Sequence, residues 1–245
     1  MTHGKNYRNA KSLFEREREY SPAEAVRIIK QMPTAKFDET VEVHFRLGLN
    51  VRHADEQLRG TLMLPHGTGK DAKVAVFAEG DKAKEAQEAG ADVVGSADLA
   101  KRVEEGFTDF DVAIATPDQM GNVGKLGRIL GPRGLMPNPK TGTVTMDVGK
   151  AVRDAKAGKL EYRTDRGANV HVAIGKKSFD ERQLVENYAA LVEEIVRAKP
   201  AVAKGRYIRQ ITLATTMSPG IRVDTAKTRG ILEDLEESQQ EAVPA

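Results

Sequence analysis

The chain has 245 residues, 40% of them hydrophobic and 30% charged, with a formal net charge of +2 and no cysteine, which excludes disulfides, thiol catalysis and Cys-ligated zinc together. Its longest apolar runs, such as "KVAVFA" at 73 to 78, are far shorter than the ~20 residues of a membrane span. The opening "MTHGKNYRNAKSLFERERE" lacks the apolar centre of a secretory signal. A soluble, cytoplasmic protein is expected, with two domains, because single cores stop growing near about 250 to 300 residues.

Ser21 before Pro22, with Glu24 three residues on, is a capping box with proline at the first helical position, so a helix is expected from Pro22 to about Met32. "TVEVHFRLGL" (40 to 49) alternates: Val41, Val43, Phe45, Leu47 and Leu49 share one side, and Glu42, His44 and Arg46 the other, as in a half-buried strand. From Lys73 the pattern becomes strand "KVAVFA", helix "DKAKEAQEAG", strand "ADVV", helix "ADLAKRVEEG" and strand "DVAIAT". Such alternation argues for a small parallel sheet with right-handed crossovers. Strands return in "KLEYRT" and "ANVHVAIG", followed by a helix expected from about Asp180 to Lys199 and a last long strand, "YIRQITLATTM", at 207 to 217.

The fold class read from this order is α/β plus α+β. Residues 1–66 and 160–229 form a discontinuous α+β domain, and residues 67–159 an inserted, Rossmann-like three-layer α/β domain. The two crossings place Gly67, Gly69 and Gly158 where a hinge would bend.

The net charge becomes informative once it is divided. Residues 230–245 carry five acids and no base, an acidic tail expected to be disordered. Residues 67–159 balance 14 bases against 14 acids, which leaves +2 on residues 1–66 and +5 on residues 160–229. If those two segments fold together they make one basic face, and a basic face with few aromatics points to nucleic acid through phosphate neutralisation and counterion release.

The segment "GNVGKLGRILGPRGLMPNPKTGTV" (121 to 144) has six glycines and three prolines but no histidine or acid. It suits an anion and offers no group to move a proton near neutral pH. Lys125, Arg128, Arg133 and Lys140 project from it as an anion-facing edge of the otherwise neutral domain. "GTGK" (67 to 70) is no P-loop: Leu64 stands where the first glycine belongs and Asp71 where Ser or Thr would hold magnesium. "KVAVFA" is not followed by G-x-G-x-x-G, so no dinucleotide cofactor is expected. His3, His44, His53, His66 and His171 show no helical metal spacing. Neither cofactor nor metal nor catalytic residue is assigned. An α/β enzyme with a small-molecule site in residues 73–144 is the alternative from a different class.

"KFDETVEVHFRLG" (36 to 48), "RGTLMLPHGTGK" (59 to 70), "FDVAIATPD" (110 to 118), "GKLGRILGPRGLMPNPKTGTV" (124 to 144) and "TTMSPGIRV" (215 to 223) resemble, in unbroken order, the family of the large-subunit ribosomal protein numbered one. The resemblance covers about residues 3 to 224. It implies a non-enzymatic protein of the ribosome's mobile stalk, monomeric when free, which binds large-subunit rRNA, assists release of deacylated exit-site tRNA, and represses translation by binding its own operon mRNA. It also implies RNA-binding roles for Lys36, Phe37, Thr40, Glu42, His44 and Arg46 from the first segment. From the second it implies Arg163, Arg166, Lys204, Thr215, Thr216, Met217 and Ser218. At Ser218 the family usually carries glycine, and the acidic tail after Asp224 lies outside the family pattern. The second domain is implied to face tRNA or further rRNA.

Overall fold

The computed structural model describes residues 4–33, 35–227 and 231. The acidic tail and its expected disorder lie, Ile231 apart, outside the described residues. The chain divides into two compact units, one from Met1–Gly69 with Tyr162–Ala245 and the other from Lys70–Glu161.

The first unit opens with α1 (Lys5–Lys11) and α2 (Pro22–Gln31). The Ser21 hydroxyl accepts the Glu24 N–H at 3.3 Å while the Glu24 carboxylate accepts the Ser21 N–H at 3.1 Å, so the expected capping box sets the start of α2. Next come β1 (Thr40–Leu47), with Val41, Val43, Phe45 and Leu47 buried, and β2 (Arg59–Met63).

The second unit runs β3 (Val74–Phe77), α3 (Asp81–Glu88), β4 (Val93–Gly95), α4 (Ala97–Glu104), β5 (Val112–Ala115), α5 (Met120–Lys125), α6 (Gly127–Leu130) and α7 (Val148–Lys156). Its parallel sheet has the order β4-β3-β5. Successive β3 side chains point to opposite faces: Ala75 and Phe77 pack with Leu99, Val103, Val123, Leu126 and Leu130, while Val74 and Val76 pack with Ala86, Val148 and Val152. The sheet is thus covered on both sides, by α4, α5 and α6 on one and by α3 and α7 on the other. Both faces being apolar explains why β3 reads as a continuous run rather than an alternation. Helix α7 was not anticipated. Its apolar residues Val148, Ala151, Val152 and Ala155 follow the i, i+3, i+4, i+7 pattern, and Asp147 caps it by accepting the Lys150 N–H at 3.1 Å.

The chain returns to the first unit through β6 (Lys159–Arg163), which forms a two-stranded ribbon with β2, and continues as β7 (Asn169–Lys176), α8 (Glu181–Arg197), β8 (Ile208–Thr215) and β9 (Ile221–Val223). The main sheet is antiparallel, order β7-β1-β8-β9. Helices α2 and α8 cover one face of it, burying Ile29, Leu184, Leu191 and Ile195 together with Phe45 and Ile174 of the strands. Each such side chain contributes about 1.5–3 kcal/mol of transfer free energy, so this covered face holds the sheet and leaves the other open.

Two local expectations are corrected. Leu49 was placed on the buried side of the first strand. That strand stops at Leu47, where its register with β8 shifts, and the Gly48 N–H bonds the Tyr207 carbonyl at 2.7 Å, leaving Leu49 beyond the strand and only half-buried. The last long strand was expected to run through Met217. It ends at Thr215, because the Ser218 hydroxyl accepts the Thr215 N–H at 2.8 Å and the Ser218 N–H reaches back to the Thr215 carbonyl at 3.3 Å, folding the chain into a turn.

The crossing glycines all have left-handed backbone: Gly67 at φ 63°, Gly69 at 69° and Gly158 at 93°. Fully buried Asn187 fixes the first crossing, accepting the His66 N–H at 3.0 Å and donating to the carbonyls of Gly67 at 3.0 Å and Ile174 at 2.7 Å. A Cβ on Gly69 would lie 2.7 Å from the Phe179 ring. Among the described residues no helix is long and apolar enough to cross a membrane.

Candidate nucleic-acid interface

The open face of the main sheet is ordered by strand register. His44 of β1 stands opposite His171 of β7 and Thr212 of β8, and Thr212 opposite Arg222 of β9, so one row of polar side chains crosses all four strands. The flanking rows are Asn169, Arg46 and Gln210 on one side, and Ala173, Glu42 and Ala214 on the other. Between the first two rows lies a hollow of about 170 Å³ lined by His44, Arg46, Asn169, His171, Gln210 and Thr212. The alanines beside Glu42 leave the surface low enough for a flat partner to approach the backbone.

The two imidazoles touch, Nδ1 to Nδ1 at 2.9 Å. His44 Nε2 lies 3.9 Å from Glu42 and His171 Nε2 lies 3.6 Å from Asp165. Burial, followed by the facing His171, pushes the His44 pKa below the ordinary histidine value, against the opposing pull of Glu42. Near neutral pH His44 is therefore a neutral hydrogen-bonding group, and Arg46 carries the charge beside it. Lys176 donates to the Thr40 hydroxyl at 2.9 Å, holding that end of β1.

One edge of this face is formed by two short segments, 35–39 and 215–218. Glu39, 1% exposed, lies between them. Its carboxylate accepts the Ala35 N–H at 2.8 Å on Oε1, and the Thr215 hydroxyl and the Met217 N–H on Oε2, the latter at 3.2 Å. Thr216 Oγ1 accepts the Thr40 N–H at 3.2 Å, leaving its own proton available for donation. Phe37 and Met217 are 52% and 63% exposed, and Met217 also lines a hollow with Tyr7, Ala10 and Pro33. Thr215 was expected to contact RNA. Its side chain is buried and committed to Glu39, so it braces the edge from behind.

Lys36, Thr40, Glu42, His44, Arg46, Thr216, Met217 and Ser218 thus belong to one strand and its adjoining edge. Arg163, at the end of β6, and Arg166, in the turn leading into β7, are exposed but lie off the four-stranded sheet. That turn is set by Asp165, whose Oδ1 accepts the N–H groups of Gly167 at 2.8 Å and Asn169 at 2.7 Å. Lys204 is exposed in the loop between α8 and β8. In the second unit Lys125 ends α5 and Arg128 lies on α6, while Arg133 donates to the Thr108 hydroxyl; these three and Lys140 are exposed.

Sequence reasoning missed Glu39, Gln210, Thr212 and Arg222 as members of the face or its support. The last three carry a readable signal, the polar parity of their strands. Glu39 carries a subtler one: it shares parity with Val41, Val43 and Phe45, so an acid stands at a core-facing position.

The main sheet thus has one polar face that is open, backed by helices on the other and edged by exposed Phe37 and Met217. The chain belongs to the ribosomal protein L1p/L10e family, whose model matches residues 29–219; it is a ribosomal protein and not an enzyme. It is 61% identical to the large ribosomal subunit protein uL1 of Thermobifida fusca (strain YX) over 229 residues, which cover 94% of this chain and 97% of that protein. It is 58% identical to the uL1 protein of Frankia alni (strain DSM 45986 / CECT 9034 / ACN14a) over 234 residues, 96% of this chain and 98% of that protein. With the uL1 protein of Streptomyces griseus subsp. griseus (strain JCM 4626 / CBS 651.72 / NBRC 13350 / KCC S-0626 / ISP 5235) the identity is 60% over 232 residues, 95% and 97% of the two chains.

Proposed function

We propose that this protein is a structural constituent of the large ribosomal subunit, in the cytoplasm, and that it binds large-subunit rRNA through the open face of the β7-β1-β8-β9 sheet and the edge formed by residues 35–39 and 215–218. The observation that carries the reading is the composition of that surface. Arg46 and Lys36 serve phosphates, the Thr216 hydroxyl and the His44 and Gln210 side chains serve 2′-hydroxyls and base edges, and exposed Phe37 and Met217 serve ribose or an unstacked base. Arg163, Arg166 and Lys204 extend the phosphate contacts.

The finer roles belong to the same proposal. The edge bearing Lys125, Arg128, Arg133 and Lys140 faces tRNA or further rRNA and assists release of deacylated tRNA from the exit site. The sheet that reads rRNA also reads a similar site in the protein's own operon mRNA, which makes it a translational repressor. Gly67, Gly69 and Gly158 are the proposed hinge points. The test is filter binding to a large-subunit rRNA fragment and to a scrambled control at two salt concentrations. Specific binding that weakens with salt, as phosphate neutralisation requires, is the expected result. Equal binding to both RNAs overturns the reading.

A further inference from the structure

We infer that Glu39 is the positioning residue of the RNA interface: its buried carboxylate joins the segment displaying Lys36 and Phe37 to the turn displaying Thr216 and Met217, so that both are presented as one preorganised edge. The inference rests on the RNA-binding reading above and deepens it.

Glu39 itself touches nothing outside the protein, being 1% exposed. Among the described residues its carboxylate's three hydrogen-bond donors belong to the two segments: Ala35 N–H at 2.8 Å, Met217 N–H at 3.2 Å and the Thr215 hydroxyl. Its backbone carbonyl accepts the Lys177 N–H at 2.8 Å, and Lys177, itself buried, is anchored by donating from Nζ to the Met32 carbonyl at 2.7 Å. Burial pushes the Glu39 pKa up, but the bonds from Thr215, Ala35 and Met217 and the Lys177 charge together outweigh it and hold the acid below its ordinary value. The group is therefore ionised near neutral pH, with acceptor capacity on both oxygens.

That two-sided capacity cannot be supplied by an amide. A glutamine of the same shape offers one acceptor oxygen, and its NH₂ would point a donor at the donors of one segment or the other. The staple opens on one side, and Phe37 or Met217 loses its fixed place. Ordering a released segment on binding then draws on affinity.

Electrostatics and positioning predict opposite signs. Removing a negative charge near a polyanion strengthens binding if charge alone matters, whereas loss of positioning weakens it. The experiment compares the parent, Glu39→Gln and Glu193→Gln by filter binding to the large-subunit rRNA fragment across a salt series. Glu193 is exposed on α8 and supplies the charge control. Circular dichroism and thermal melting establish that each variant is folded at the assay temperature.

The expected result is a loss of about tenfold for Glu39→Gln at unchanged salt slope, with Glu193→Gln equal to the parent or tighter. A folded Glu39→Gln that binds as the parent does, or more tightly, overturns the inference. If Glu39→Gln does not fold, Thr215→Val decides, since it removes one donor and leaves the charge. A several-fold loss supports the staple and parent-like binding overturns it. A parent that fails to bind the fragment specifically sinks the RNA reading instead, so the two failures are distinguishable.

Discussion

The Nδ1 atoms of His44 and His171 lie 2.9 Å apart on the open face of the main sheet, so one ring must donate its proton to the lone pair of the other. Glu42 stands beside His44 in sequence parity, Arg46 on its other side, and Asp165 behind His171. The His44 pKa is held below the ordinary 6.5, chiefly by burial, so the unfolded chain takes up this proton first as pH falls. The resulting stabilisation is fully present above pH 6.5, and is lost as pH drops through that value towards the lower folded one. Binding to phosphate has the opposite sign, since a polyanion favours the imidazolium. RNA affinity should therefore rise as pH falls below 6.5 towards the lower folded value, and the rise should shrink in His44→Gln. A flat pH profile in the parent would show that the pair does not face RNA charge.

Asn187 satisfies three backbone groups at once, the His66 N–H and the carbonyls of Gly67 and Ile174. Asn187→Leu keeps the branched shape but removes the partner of all three, leaving the Ile174 carbonyl stranded in the buried interior and the other two at the part-buried crossing. The expected cost is at least about 1–3 kcal/mol, the penalty for even one unsatisfied buried partner. Urea denaturation should register it as a lower midpoint at unchanged slope.

The strand pattern of β1 was legible because its alternation is imposed by a sheet with one covered and one open face. Its end was not, because Leu49 continues the apolar parity while the chain is diverted by the Gly48 bond to Tyr207, a contact remote in sequence. The same limit applies at Thr216 and Met217, where a serine hydroxyl folding back on Thr215 ends a run that local propensity would extend. Glu39 was passed over because alternation marks it as core-facing and composition marks it as surface. Only the return of β8 beside β1 shows how a carboxylate is satisfied there. Helix α7, by contrast, was legible and overlooked: Val148, Ala151, Val152 and Ala155 keep a clear apolar stripe, and Asp147 stands at its N-cap.

Ser218 follows β8 in the turn that ends the strand, and the structure gives it work. Its hydroxyl accepts the Thr215 N–H at 2.8 Å and donates to the Pro219 carbonyl at 3.2 Å, and its φ is not among the left-handed ones that would demand glycine. Ser218→Gly should lower stability by about 1–2 kcal/mol, through the lost hydrogen bonds and the freer unfolded chain. Thermal melting of the two proteins checks this; an unchanged or higher Tm would mean the serine bonds are replaced by water at no cost.

Thr216 and Lys204 should divide specificity and affinity between them. Thr216 is held by the Thr40 N–H on its oxygen at 3.2 Å, on a turn braced from behind by Thr215 and Glu39, so its proton has a fixed direction in which to donate. A donor so placed can read a 2′-hydroxyl or a base edge. Thr216→Val preserves the shape, removes both halves of that arrangement, and leaves every phosphate contact in place. It should weaken binding to the specific rRNA fragment by about tenfold, as for a lost hydrogen bond in a desolvated interface, with the salt slope unchanged. Lys204 sits exposed in a loop with its charge free to follow a phosphate. Lys204→Ala should weaken binding to specific and scrambled RNA alike and reduce the salt slope by about one. Salt titrations of both variants against both RNAs measure the two effects together. If Thr216→Val bound like the parent, the edge formed by residues 215–218 would be ordinary solvated surface, and recognition would have to reside in the His44 row instead.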